Sequence, residues 1–202
     1  MSDHPNLMLS ISGARGIVGQ GMTPPVAARF GAALGAWLRD TADTETPHVV
    51  VGRDSRRSGE MLEMAAVSGL VGVGCRVTRL GIATTPGTAL MTDTLDADGG
   101  LIVTASHNPA PWNGLKPLRR GGRAPAGDEA AQIIQRFRDD QPPYCDAQRL
   151  HRIEHRPDTD RVHAERVAQC DDVEAIRNSG LTIAIDSIHG AGGRETLALL
   201  YA

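Results

Sequence analysis

The residues of this chain that speak most directly of chemistry are Thr104-Ala105-Ser106-His107-Asn108-Pro109, a hydroxyl and an imidazole side by side in one short run. The run follows Gly100-Leu101-Ile102-Val103, which reads as a buried strand, so Ser106 falls where that strand spills into a loop. In an open α/β sheet, ligands bind at that carboxyl end. A serine hydroxyl is a poor nucleophile unless a base or a metal helps it. No G-x-S-x-G elbow occurs to suggest a hydrolase triad. Asn-Pro by itself marks only a turn, so the meaning of the hexapeptide rests on its companions.

Those companions are Asn113-Gly114-Leu115-Lys116 just after it, Ser12-Gly13-Ala14-Arg15-Gly16-Ile17-Val18-Gly19 and Gly52-Arg53-Asp54-Ser55-Arg56 before it, and Asp186-Ser187-Ile188-His189-Gly190-Ala191-Gly192-Gly193 downstream. In this order they resemble the motifs of the α-D-phosphohexomutases, a family of phosphoglucomutases, phosphomannomutases and phosphoglucosamine mutases. The resemblance implies an intramolecular phosphotransferase, an isomerase that moves a phosphoryl group between the 1- and 6-positions of a hexose or hexosamine phosphate. Ser106 would carry the group and a bisphosphate intermediate would turn around in the site. The N-terminal segment lacks the T-D-G-x-R-G form and looks nearer to phosphoglucosamine mutases or related phosphomannomutases than to animal phosphoglucomutases.

Phosphoryl transfer asks a protein mainly for alignment and charge stabilisation. Arg15 and Lys116 fall on the family's active-site arginine and lysine. A guanidinium fork holds two phosphate oxygens at once, whereas an ammonium acts as a point charge and can shuttle a proton if its pKa is lowered. Lys116 is therefore the expected general acid/base. His107 is expected to orient the loop or relay a proton. Arg53 and Arg56 with Asp54 read equally well as a brace for the serine loop and as an ion-paired turn.

The resemblance also implies Mg²⁺, held by an oxygen of the phosphate on Ser106 and by three aspartates of a D-G-D-x-D-R loop, and no such loop occurs in this sequence. Asp96-Ala97-Asp98-Gly99 cannot replace it. It precedes the strand that Ser106 follows, which at 3.3 Å per residue puts Asp98 roughly 15–20 Å away. His151, His155, His163 and Cys170 fit no common zinc spacing, and His151 and His155 lie in a charged stretch. No Walker-type G-x-x-x-x-G-K or dinucleotide-type G-x-G-x-x-G occurs.

With 21 Lys+Arg against 24 Asp+Glu, the net charge of −3 supplies no global field for nucleic acid or an anionic membrane. Two Phe, two Tyr and two Trp offer little for base stacking. No stretch approaches the roughly 20 apolar residues of a membrane span, and the polar start Met1-Ser2-Asp3-His4-Pro5 has no signal-peptide pattern. Three widely spaced cysteines, Cys75, Cys145 and Cys170, fit reduced thiols. A cytoplasmic protein is expected, with a sugar phosphate as its ligand, no nucleic-acid or membrane partner, and a homodimer left open.

Apolar periodicity predicts helices over about 23–40, 58–73 and 128–138, with another starting at Thr85-Pro86. Strands are predicted over 48–51, 76–80 and 101–104. Alternation of this kind predicts an α/β fold, a three-layer α/β/α domain with a mixed sheet over residues 1–140. Residues 141–159 read as a linker. Residues 160–202 read as the start of a second α/β domain, cut short after a helix over 160–178, a strand over 181–186 and the beginning of another helix. On this reading the chain alone is inactive as a mutase. A non-catalytic phosphoserine-bearing or dimerisation module is the competing expectation.

Overall fold

The computed structural model describes residues 6–42, 44–170 and 172–201. The polar start Met1–Pro5 lies outside them. The elements in chain order are β1 (Leu7–Ser10), β2 (Gly13–Ile17), α1 (Pro24–Thr41), β3 (His48–Arg53), α2 (Gly59–Gly72), β4 (Arg76–Ile82), α3 (Thr85–Thr94), β5 (Gly99–Val103), β6 (Trp112–Arg119), α4 (Gly127–Asp139), β7 (Glu154–His155), α5 (Thr159–Ala168), α6 (Val173–Arg177) and α7 (Gly192–Tyr201).

The sheet runs β1-β2-β6-β5-β3-β4-β7. From β5 to β7 the strands are parallel, and β1, β2 and β6 pair antiparallel, so the sheet is mixed as expected. Side chains of a strand alternate between faces, and β3 shows the division. Val49 and Val51 join Phe30, Trp37, Leu62, Leu70, Leu101, Leu115 and Ile133 in the core beneath α1, α2 and α4. Val50 turns the other way, to Met91, Leu80, Ala83 and Ala97 beneath α3. Both faces of the sheet are thus covered, which is why β3 and β5 read as unbroken apolar runs.

β1, β2 and β6 are absent from the expectation, and composition explains why for β2 and β6. β2 is Gly-Ala-Arg-Gly-Ile and β6 carries Gly114 and Pro117, residues that disfavour strands in isolation. Pairing with neighbours holds them extended. Pro117 is tolerated because the β2 ladder on β6 reaches only Leu115, so the missing N–H leaves no partner wanting on that side.

Further local details depart from the expected elements. α3 is capped by Thr84, whose hydroxyl accepts from Gly87 N, so the cap sits one residue before the expected start. Ser58 makes no side-chain cap for α2; its hydroxyl accepts from Asn113 Nδ2 at 2.9 Å instead. The stretch read as a linker includes β7, which adds to β4 in parallel. Beyond it, the single helix expected over 160–178 is two, α5 and α6. The strand expected over 181–186 joins no ladder, with Leu181, Ile183 and Ile185 exposed. Among the described residues no strand lies beside it to take its hydrogen bonds. The three cysteines are unpaired thiols, and burial pushes Cys75 up to about 12.

Behind the carboxyl end of β3 lies a fully buried carboxylate, Glu63 of α2. It accepts from Arg79 at 2.8 and 3.0 Å and from Arg53 at 3.1 Å, and this contact holds the Arg79 guanidinium above its ordinary range. Replacing one member of a buried set strands the others' charge. Glu63→Leu is expected to cost about 3 kcal/mol of stability. Urea unfolding checks this; an unchanged midpoint would show that the two arginines are satisfied by solvent.

Candidate active site

Two loops leave the same end of the parallel strands and are stitched together from the first residue. Asp54, just past β3, donates its N–H to Val103 O, the last carbonyl of β5, at 3.0 Å. Thr104 donates its hydroxyl to Asp54 Oδ2 at 2.7 Å and accepts from Ser106 N at 3.0 Å. Ser106 itself is exposed, with φ of 58°, a left-handed conformation that a serine adopts only when its surroundings hold it there.

Arg56 supplies much of that hold. A guanidinium has five N–H donors, and Arg56 uses all of them. Nε donates to Asp54 Oδ2 at 3.1 Å. Nη1 donates to Pro109 O at 2.9 Å and Trp112 O at 3.1 Å. Nη2 donates to Ser106 O at 3.0 Å and Asn108 O at 2.7 Å. Of the two readings open for this segment, Asp54 and Arg56 brace the serine loop. Arg53 does not, because it turns back to Glu63 and Glu60.

Arg15 and Lys116 arrive on the strands beside the loop. Arg15 of β2 stands opposite Gly114 of β6, and Lys116 is two residues farther along β6, so both cations lie on one face of the sheet. Arg15 Nη1 donates to Asn108 Oδ1 at 2.8 Å, which ties the β2 cation directly to the loop. Lys116 is partly exposed, and among the described residues no hydrogen bond or ion pair engages its ammonium. His107 is exposed, with Nδ1 3.4 Å from Ser106 Oγ, near the limit of a hydrogen bond. Ser106, His107, Arg15 and Lys116 are therefore brought to one end of the domain. Asn108 is a contact that the sequence reading passed over, although it lies inside the same hexapeptide.

Close approach of backbones makes the arrangement possible. Gly13 has φ of 102°, and a Cβ there would fall 2.0 Å from Leu115 O. At Gly114 a Cβ would lie 2.8 Å from both Ala14 O and Thr104 O. Asp96 and Asp98 are elsewhere: Asp96 pairs with Arg120 at 2.6 Å, and Asp98 Oδ2 accepts from His48 N at 2.8 Å. Among the described residues no three His, Cys, Asp or Glu side chains converge to hold a metal ion, the His and Cys of 151–170 included.

Ser106 is thus displayed at the carboxyl end of β5 in a mixed sheet covered on both faces, with Arg15 and Lys116 on the antiparallel strands beside it. Residues 8–143 match the family described as phosphoglucomutase/phosphomannomutase, alpha/beta/alpha domain I. The chain belongs to the phosphoglucomutase/phosphomannomutase family. It is 37% identical over 187 residues to a phosphoglucomutase/phosphomannomutase of Thermococcus kodakarensis, covering 89% of this chain and 39% of that protein. It is 35% identical over 179 residues to a phosphoglucosamine mutase of Staphylococcus saprophyticus, covering 89% of this chain and 40% of that one. The chain thus spans about two fifths of the length of these relatives. Among solved structures, a candidate phosphomannomutase from Thermus thermophilus superposes over 100% of this chain and 44% of its own with a TM-score of 0.85 at 27% identity.

The crowding at Gly114 yields a test. Gly114→Ala forces β2 away from the serine loop and is expected to cost about 2 kcal/mol, as overpacking does. Denaturant unfolding together with the amide spectrum of residues 13–17 checks it. A variant of full stability with β2 unmoved would contradict the close approach.

Proposed function

We propose that this chain is the phosphoserine-bearing segment of a phosphohexose mutase. The observation that carries the reading is the exposed Ser106, held left-handed at the end of β5 with Arg15 tied to its loop through Asn108. Phosphoserine at 106 gives its phosphoryl group to a hydroxyl of a hexose or hexosamine phosphate. The Oγ–P bond breaks as the sugar O–P bond forms. On return, the phosphate from the other carbon of the 1,6-bisphosphate passes to Ser106 Oγ and the isomeric monophosphate leaves.

Arg15 offers its guanidinium to the oxygens in transfer. Lys116, on the same sheet face and uncommitted, takes the proton from the attacking hydroxyl and gives one to the departing oxygen. His107 orients the loop at Ser106. Mg²⁺ belongs to the reading as a Lewis acid on the transferred group, with Ser106 contributing a ligand through its phosphate. The described residues do not complete such a site, so the steps above are assigned to protein groups alone. No helix among the described residues is long and apolar enough to cross a membrane. The reading places the enzyme in the cytoplasm, with a small sugar phosphate as its ligand.

Intact-mass and peptide analysis of the full-length enzyme and its variants, after incubation with a hexose 1,6-bisphosphate and Mg²⁺, tests the reading. One phosphoryl group is expected on Ser106 and none on Ser106→Ala. Arg15→Ala and Lys116→Ala are expected to slow its uptake roughly a hundredfold at nearly unchanged melting temperature, since charges at a reacting phosphate act far more on the barrier than on folding. Label on another residue, or normal uptake by both variants, would overturn the assignment.

A further inference from the structure

Arg56 donates to the carbonyls of Ser106 and Pro109, and that choice fixes the other ends of the same two peptides. Every described peptide is trans, so the N–H of each points opposite to its C=O. The N–H groups of His107 and Ala110 are therefore turned away from the guanidinium. Among the described residues neither has an acceptor, whereas the amides of Ser106, Asn108 and Trp112 are all engaged inside the loop. His107 is exposed and directly follows the serine, so its N–H lies within reach of a group carried on Ser106 Oγ.

We propose that the backbone N–H of His107 is a hydrogen-bond donor to the phosphoryl group on Ser106, aimed there by Arg56. The inference rests on the phosphoserine reading above. Arg56 is then a positioning residue. It faces the carbonyl side of the loop, is countered by Asp54, and acts through the peptide it turns. A fixed amide dipole at a phosphate needs no reorganisation during transfer, which makes it effective where charge shifts between oxygens. A charged phosphate acceptor also strengthens such a bond over a neutral one.

The test uses protein carrying phosphoserine installed chemically at position 106, so it does not depend on transfer from a sugar. A phosphate that accepts from a fixed N–H loses its second proton more readily than free phosphoserine, which does so near pH 6. Phosphorus-31 titration is expected to show that lowered value in the native sequence and a rise of roughly half a unit in Arg56→Lys, which keeps the charge but cannot hold both carbonyls. The His107 amide proton is expected to move downfield on phosphorylation in the native loop and not in the variant. Should Arg56→Lys fail to fold, an ester in place of the 106–107 amide removes the N–H alone and should raise the phosphate's ionisation likewise. An unmoved His107 amide, or native ionisation in either variant, overturns the proposal. Transfer from a hexose 1,6-bisphosphate to unmodified Ser106 is followed separately, so failure of the mutase reading and failure of this inference are told apart.

Discussion

The grip of Arg56 on four carbonyls of the serine loop, backed by Asp54, is the interaction on which the candidate site depends. A loop of Ser, His, Asn and Pro beyond a strand end has little apolar surface to bury and no ladder to extend. Left alone it would sample many conformations, each residue costing about 1–2 kcal/mol to fix. One planar, five-donor cation replaces the missing ladder. Its partner carboxylate reaches the serine from the other side, through Thr104 and the Ser106 amide.

That grip works only because the strands beneath it are in register. β3 and β5 end together, which puts Asp54 beside Val103, while the antiparallel return of β6 brings Gly114 under Thr104 and Arg15 opposite Gly114. The buried Glu63 anchors Arg53 away from the loop, leaving Arg56 as the guanidinium that meets it. An arginine at 53 and another at 56 thus divide two tasks: one satisfies the interior, the other shapes the site.

Much of this was legible in the residues. Val49 to Val51 and Leu101 to Val103 are β-branched or apolar throughout because both faces of their strands are covered; α4 carries an apolar stripe because one side of it is buried, while α1, buried all round from Phe30 to Leu38, is apolar or small on every face there. The placement of Ser106 past a strand end followed from the same pattern. β2 and β6 were not legible, since Gly13 and Gly114 serve backbone clearance and, like Pro117, carry no strand propensity. Nor was the choice between brace and ion-paired turn for Arg56, because five acceptors spread from residue 54 to residue 112 converge only in three dimensions. The stretch 181–186 shows the converse: its alternating Leu and Ile satisfy a strand pattern, yet among the described residues no neighbour completes it.

Hydrogen exchange at the amides of residues 106 and 108 tests the central claim most directly. Both are bonded within the loop, to Thr104 Oγ1 and to Ala105 O. If Arg56 holds the loop, Arg56→Ala accelerates exchange at both amides roughly tenfold or more while β3 and β5 stay protected. Equal exchange in the native chain and the variant would mean that the loop holds its shape without the guanidinium, and the account of the site would be wrong.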